Sequence, residues 1–505
     1  MSEVIRALRF HACSQPAAIA LEGGGVSLDY RAAARQVDRL AVLLGAAGRL
    51  GVLMDNGPAW AVADLAMLAA GVGQVPLPPF FSDSQLSHAI ADAGVDGILT
   101  DQPERVGALL RGAGTTAGPV VLPGKTVYLF RFSRRSTADF GHAAKLTYTS
   151  GTTGQPKGVL LDLAAVEQVA LSLMEASGAT PADRHLSVLP MPTLLENIGG
   201  LYAPLLAGAR SILPPLAEVG VGGSSQLDAG RLVQALHAHR ATTTILVPQM
   251  LFAMVHALRA GAPLPTALRF IAVGGATVSA TLLQQAAAFG LPVFQGYGLS
   301  ECASVVALNT QSANRPGSVG RPLPHVRLRL AADGEILVGG ALFQGYIGQG
   351  PAPVDTEGFF PSGDLGHLDD DGYLWLTGRK KNLYITAFGR NVAPEWVEGE
   401  LAGHYAIAQA ALFGDGLPWN TAVIVPRQMP GRGALSAVAE AVAAANAGLP
   451  DYARVGRWIL AEESFTPANG QLTANGRPRR EAIWAAYASR IEYLYQQEEE
   501  IHDVL

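Results

Sequence analysis

The chain predicts an α/β protein. Its large N-terminal domain has parallel and mixed sheets flanked by helices and carries a small β-rich subdomain; a smaller, mobile α+β domain follows at the C-terminus. Three observations lead there. Helical and strand-like segments alternate through the first half, the pattern that builds parallel sheet with helices on both faces. From about residue 315 the texture changes to short strands separated by Gly, Pro and Asp turns. At 505 residues, the chain is too long for a single ordinary core.

In order, residues 30–48 show helical spacing, 49–56 read as a buried strand, and 58–71 read as a helix opened by Pro58, whose fixed φ suits a first turn. A strand near 75–77, a helix over 82–93 and a strand at 97–100 continue the alternation. Further on come a helix at 163–178, a strand at 185–190, a helix through 194–207 and strands at 210–213, 243–248 and 268–275. The stretches ADGEILVGG and DDDGYLWLTG mark the β-rich subdomain, expected over about 315–380. Beyond Lys381, strand patterns (AQAALFG, TAVIVP) mix with helical ones at 434–448 and 480–500. The expected boundaries are 1–380 for the N-terminal domain and 381–505 for the C-terminal one.

Composition narrows the function classes. Hydrophobic residues make up 49% and charged residues 15%, which suits a well-buried enzyme and not a disordered chain. A net charge of −6 with no basic stripe argues against a nucleic-acid partner. Cys13 and Cys302 make no disulfide framework and have no metal-ligand spacing, so a cytoplasmic location is expected. The first residues lack the apolar core of a secretory signal, and no uninterrupted apolar run is long enough to span a membrane.

Residues 147–158, TYTSGTTGQPKG, carry the most chemistry. Gly151 and Gly154 let successive N–H groups turn toward one anion. Thr149, Ser150, Thr152 and Thr153 add hydroxyl donors, and Lys157 adds a mobile positive charge. The Walker A pattern is not met, because Gly158 and not Ser or Thr follows the lysine.

This string resembles the phosphate loop of the adenylate-forming superfamily of AMP-binding enzymes. Further segments match that family's signatures in order: GYGLSE (296–301), SGDLGHLDDDGYLWLTGRKKN (362–382), FGRNVAPEWVE (388–398) and LTANGRPRR (472–480). Residues 75–90 and 189–209 read most like long-chain acyl-CoA synthetases. The resemblance implies ATP, Mg²⁺ and coenzyme A, with activation of an apolar, medium- or long-chain carboxylic acid as an acyl-adenylate and transfer to a thiol. It implies Glu301 and the Thr149 hydroxyl as magnesium ligands, and Tyr297, Gly296, Gly298 and Ser300 around the adenine. Gly275 and Ala276 would line the far side of the purine and the acyl tunnel, Asp364 would take the ribose hydroxyls, and Arg379 would reach ribose or phosphate. Lys381 would be the hinge about which the C-terminal domain rotates.

Two positions depart from the pattern. The family's catalytic lysine belongs where this chain has Arg477, and no lysine follows Lys381. Arginine keeps the charge and can bridge carboxylate and α-phosphate, but it is planar and larger. Thr193 stands where long-chain synthetases usually carry histidine; as a residue it is also a sensible helix N-cap. The alternatives are a ligase that loads an acyl carrier protein or forms an amide or lactone, and a catalytically weak nucleotide-binding homologue.

Overall fold

The computed structural model describes residues 2–45, 47–111, 115–132, 143–149, 156–222, 226–427, 432–473 and 476–502. Two large sheets dominate. The nine-stranded sheet runs in the order 321–322, 307–308, 293–297, 270–273, 243–246, 184–186, 210–212, 19–23, 26–29. Its six inner strands pair in parallel. The eight-stranded sheet runs 345–346, 157–161, 145–149, 73–76, 49–53, 97–100, 125–132, 115–122, with a parallel centre and antiparallel edges.

Helix Pro58–Ala70 touches strands of both sheets, so water is excluded from nearly its whole circumference. That is why its sequence, PAWAVADLAMLAA, lacks a polar face. Its one acid, Asp64, is buried and paired with the buried Lys145 (Oδ1–Nζ 2.9 Å). The Tyr202 hydroxyl accepts from Lys145 at 3.0 Å, and Asn197 also takes the ammonium. Burial lowers the Lys145 pKa, opposed by the Asp64 charge. Removing one partner from such a pair costs about 3–5 kcal/mol. The cluster ties this helix to strand Lys145–Thr149, which leads directly to the glycine–hydroxyl loop.

The expected helix through 194–207 is interrupted: Leu194–Glu196 and Ala203–Leu206 are α-helical, and Asn197–Tyr202 between them is a π-helix. Gly199 and Gly200 allow this segment to press onto its neighbours. A Cβ at Gly199 would lie 2.7 Å from Ile245 Cδ1, and one at Gly200 would lie 2.2 Å from Glu196 Oε1. Thr193 occupies the N-cap position, yet its side chain makes no capping hydrogen bond.

A four-stranded antiparallel sheet follows, ordered 326–330, 335–340, 360–368, 374–379. The C-terminal part has a three-stranded sheet, 407–413, 420–426, 455–460, with helices Pro394–Ala402, Arg432–Gly448 and Arg480–His502. It has its own apolar clusters around Val397, Ile424 and Val438, and around Phe413, Ile483 and Ile491. The molecule is therefore a large mixed α/β N-terminal portion with a β-rich layer and a small α+β C-terminal domain.

Candidate active site

The loop residues Thr149 and Lys157 face one another across an antiparallel pair at the ends of strands Lys145–Thr149 and Lys157–Leu161. The Thr149 hydroxyl is 3.5 Å from the Lys157 carbonyl. Ser150, Gly151, Thr152, Thr153 and Gly154 lie outside the described residues. Lys157 Nζ sits 5.4 Å from the ring centroid of Tyr346.

Strand Val293–Tyr297 delivers the GYGLSE segment at its C-terminal end, where ligand loops of parallel sheets gather. Gly298 is required there: a Cβ would fall 1.7 Å from the Ser304 carbonyl oxygen. The chain makes one 3₁₀ turn at Ser300–Cys302 and then passes through positive φ at Ala303 (51°) and Ser304 (108°). Such backbone costs about 1–3 kcal/mol per residue and is characteristic of ligand-holding loops. The turn presents Glu301, whose Oε1 accepts from the Tyr346 hydroxyl at 2.7 Å. Burial, followed by the Glu301 charge, raises the Tyr346 pKa, so this phenol stays protonated and donates.

Asp364 and Arg379 are direct cross-strand partners in the β-rich sheet. Arg379 Nε donates to Asp364 Oδ1 at 2.6 Å, and the Tyr297 hydroxyl donates to Oδ2 at 2.7 Å. Asp364 is buried, and desolvation raises its pKa; the Arg379 charge, the Tyr297 hydrogen bond and the Arg477 charge oppose that rise. Tyr297, buried beside this carboxylate, has a pKa well above its usual range.

Arg477 arrives from the C-terminal domain. Its Nη2 donates to the Gly275 carbonyl at 3.3 Å, in the loop after strand Phe270–Val273. The side chain keeps access to water but is enclosed by protein on several sides. That enclosure, then the nearby Arg379 charge, lowers its pKa, while Asp364, Glu301 and Glu395 pull it back up. Lys381 shares the same field: burial, Arg379, Arg477 and Lys157 lower its pKa. Lys157, Arg379, Lys381 and Arg477 thus gather into one site with Glu301 and Asp364. Gly275, at φ 85°, and Ala276 are exposed at its edge, and Gly296 is half-buried beneath.

Sequence reasoning did not single out Tyr346 or Glu395. Tyr346 reaches Glu301 across 45 residues, and no local pattern announces such a contact. Glu395 lies within the FGRNVAPEWVE segment and accepts a hydrogen bond from Asn382, next to the expected hinge.

The donor set fits a magnesium–nucleotide complex better than a bare ion. Among the described residues, no three His, Cys, Asp or Glu side chains converge to hold a metal. A single carboxylate with a nearby hydroxyl suits Mg²⁺, which keeps most positions for phosphate and water.

Residues 8–347 match the AMP-binding enzyme family, and residues 382–499 match the AMP-binding enzyme C-terminal domain. The chain is an enzyme of this AMP-forming, acid–CoA ligase family. It is 29% identical to a long-chain-fatty-acid–CoA ligase of Mycobacterium tuberculosis, over 87% of this chain and 86% of that protein. It is 31% identical to a feruloyl-CoA synthase of an Amycolatopsis species, over 81% of this chain and 86% of that one. Its fold superposes on an anthranilate CoA ligase with anthranoyl-AMP at TM-score 0.78 and 18% identity, covering 96% and 97% of the two chains. The o-succinylbenzoate CoA synthetase of Bacillus subtilis, with ATP and magnesium, superposes at 0.73 and 23% identity, covering 94% and 98%.

Proposed function

We propose that the protein activates an apolar carboxylic acid with ATP and Mg²⁺ and passes the acyl group to coenzyme A. The observation that carries this is the gathering of Lys157, Glu301, Asp364, Arg379 and Arg477 into one site, from three sheets and the C-terminal domain. In the first step an acid oxygen attacks the α-phosphorus of ATP, the bond to the β-phosphate oxygen breaks, and pyrophosphate leaves. Both reactants are anionic, so the barrier falls when fixed positive charge meets them. Lys157 and the glycine–hydroxyl loop of Ser150, Gly151, Thr152, Thr153 and Gly154 hold the β- and γ-phosphates. Arg477 bridges the acid and the α-phosphate, the task a lysine performs elsewhere in the family. Asp364 accepts from the ribose hydroxyls, with Arg379 beside it, and Tyr297 lies against the adenine between Gly296, Gly298, Ser300 and the Gly275–Ala276 edge. Glu301 and the Thr149 hydroxyl would hold magnesium, which when bound would supply charge neutralisation at the phosphate oxygens. In the second step the thiol sulfur attacks the acyl carbon and AMP departs.

The same reading divides the chain at 380/381, with Lys381 as the hinge and the C-terminal domain moving between the two steps. The apolar acid is read from the resemblance of residues 75–90 and 189–209 to long-chain acyl-CoA synthetases; the apolar side chains of 189–209 are themselves largely packed in the core. Relatives named for fatty, ferulic and indoleacetic acids make a mixed aliphatic and aromatic panel the right assay set. No helix of the described residues is long and apolar enough to cross a membrane. The test is acid-dependent release of pyrophosphate and AMP across that panel, with CoA, a carrier protein or neither, and products read by mass. An acid-dependent thioester with CoA supports the reading. ATP turnover with no dependence on any acid overturns it.

A further inference from the structure

The C-terminal domain is held on the N-terminal portion by a compact set of contacts that begins beside the Gly275–Ala276 edge and extends to helix Pro248–Arg259. Helix Pro394–Ala402 presents Gly399 and, one turn on, Gly403 to the segment that follows Gly275 and Ala276. A Cβ at Gly399 would stand 3.3 Å from Thr277 Cγ2, and one at Gly403 would stand 2.6 Å from Ser279 Oγ. Between them Glu400 Oε1 accepts from the Ala280 amide at 3.3 Å, at the start of helix Ala280–Ala288. Beside this face, the Tyr405 ring packs on His256 at 4.6 Å, and His256 packs on Phe252 at 4.3 Å, both on helix Pro248–Arg259. The Arg427 guanidinium closes the stack, 4.5 Å from the Phe252 centroid and 5.5 Å from that of Tyr405. Arg427 is fixed from its own domain by hydrogen bonds to the Tyr405 and Ile407 carbonyls, at 2.9 and 3.1 Å.

We propose that Tyr405 and His256 are positioning residues for adenylate formation, forming the clip that holds the C-terminal domain where Arg477 meets Gly275. The inference rests on the adenylation reading given above. Tyr405 is 52% exposed and stands outside the apolar clusters of its own domain, and the aromatic ring it packs on, His256, lies on the other portion of the molecule. Because Tyr405 stays half exposed in the docked arrangement, its aromatic pairing with His256 and the Arg427 cation contact are modest, enough to set an angle and not to lock the domain. The glycines at 399 and 403 set how closely the surfaces meet, and the stack sets their angle. Arg477 then reaches Gly275 without searching. The clip has no role in the second half-reaction if the domain has rotated away by then.

The test uses full-length parent, Tyr405→Ala, His256→Ala, the double variant and Tyr405→Phe. Single-turnover pyrophosphate release reports the first half-reaction, and thioester formation from supplied acyl-adenylate and CoA reports the second. Tyr405→Ala and His256→Ala should each slow the first half-reaction three- to tenfold and leave the second unchanged or faster. The double variant should be little worse than either single one, because both remove the same contact. Tyr405→Phe should restore the parent rate. Hydrogen exchange of the segment containing the Ala280 amide, with ATP present, gives a readout independent of turnover, and exchange there should quicken in Tyr405→Ala. If the parent releases no pyrophosphate, the adenylation reading fails while exchange still reports on the clip. Equal losses in both half-reactions, an additive double variant, or unchanged exchange at Ala280 in Tyr405→Ala would overturn the proposal.

Discussion

Replacing Asp364 with asparagine should separate function from stability. Its carboxylate is buried, accepting from Tyr297 at 2.7 Å and Arg379 at 2.6 Å. Asparagine fits the same space. Its single carbonyl oxygen can turn to Arg379, and its amide can donate to the Tyr297 hydroxyl, so the local geometry survives. The lost ion pair is worth little, because the Arg379 side chain is 32% exposed and its charge is screened. Desolvation also makes the parent carboxylate costly. Its folded-state pKa is raised above 3.8, so the folded protein holds the proton more tightly than the unfolded chain does. The group's contribution to stability therefore falls as pH rises through the window above 3.8, and Asp364→Asn removes that cost at neutral pH. These opposing effects should leave folding stability within about 1 kcal/mol of the parent, a melting shift under about 4 °C. ATP use should suffer far more. A carboxylate that receives two hydroxyls makes charge-assisted hydrogen bonds of about 1.5–3 kcal/mol each, and the amide keeps at most one, neutral, bond. A net loss of about 2–3 kcal/mol lowers kcat/KM for ATP about 30- to 150-fold. Thermal melts at pH 4.5 and 7.5 with pyrophosphate-release kinetics read both quantities, and the melting difference should shrink at the lower pH. A variant that melts much earlier yet handles ATP normally would refute the reasoning, making Asp364 a structural ion-pair member.

Three further outcomes are expected. Lys157→Ala should slow adenylation tenfold or more, consistent with about 1.4 kcal/mol or above for a lost charge-assisted contact, and an unchanged ATP titration would remove Lys157 from the phosphates. Glu301→Gln should raise the Mg²⁺ concentration that gives half-maximal rate, because a neutral amide is a poorer hard-cation ligand; a superimposable magnesium curve would argue against that role. Lys381→Pro, by fixing φ and removing an amide donor, should impair thioester formation more than adenylate formation, and equal impairment would indicate general damage.

Much of the molecule was legible because local chemistry and long-range order agree. Pro58 opens its helix, and Ser82 with Gln85 forms a capping box on the next helix, Asp83–Ala93, whose expected first residue, 82, is its N-cap. The strand at 97–100 falls where its apolar run puts it. Asp364 and Arg379 stand fifteen residues apart in sequence, and the sheet makes them cross-strand neighbours. Other features leave no local trace. A six-residue π-helix cannot be told from an α-helix by periodicity, so the sequence of Asn197–Tyr202 reads as continuous helix. Strands Ile19–Gly23 and Val26–Asp29 join the large sheet through pairing with Arg210–Ile212, a contact almost two hundred residues away. Tyr346, Tyr405 and His256 are ordinary aromatic residues in sequence; only the folded chain gives them partners.

The measurement closest to the central claim is a single-turnover comparison of parent, Arg477→Ala and Arg477→Lys in the two half-reactions. Arg477 is the one described cation that the C-terminal domain brings to a backbone carbonyl of the Gly275 edge. The account predicts that Arg477→Ala releases pyrophosphate at least tenfold more slowly, and that Arg477→Lys retains or exceeds the parent rate. All three proteins should convert a supplied acyl-adenylate and CoA to thioester alike. If Arg477→Ala forms adenylate as fast as the parent, this arginine is a bystander and the bridging role assigned to it is wrong.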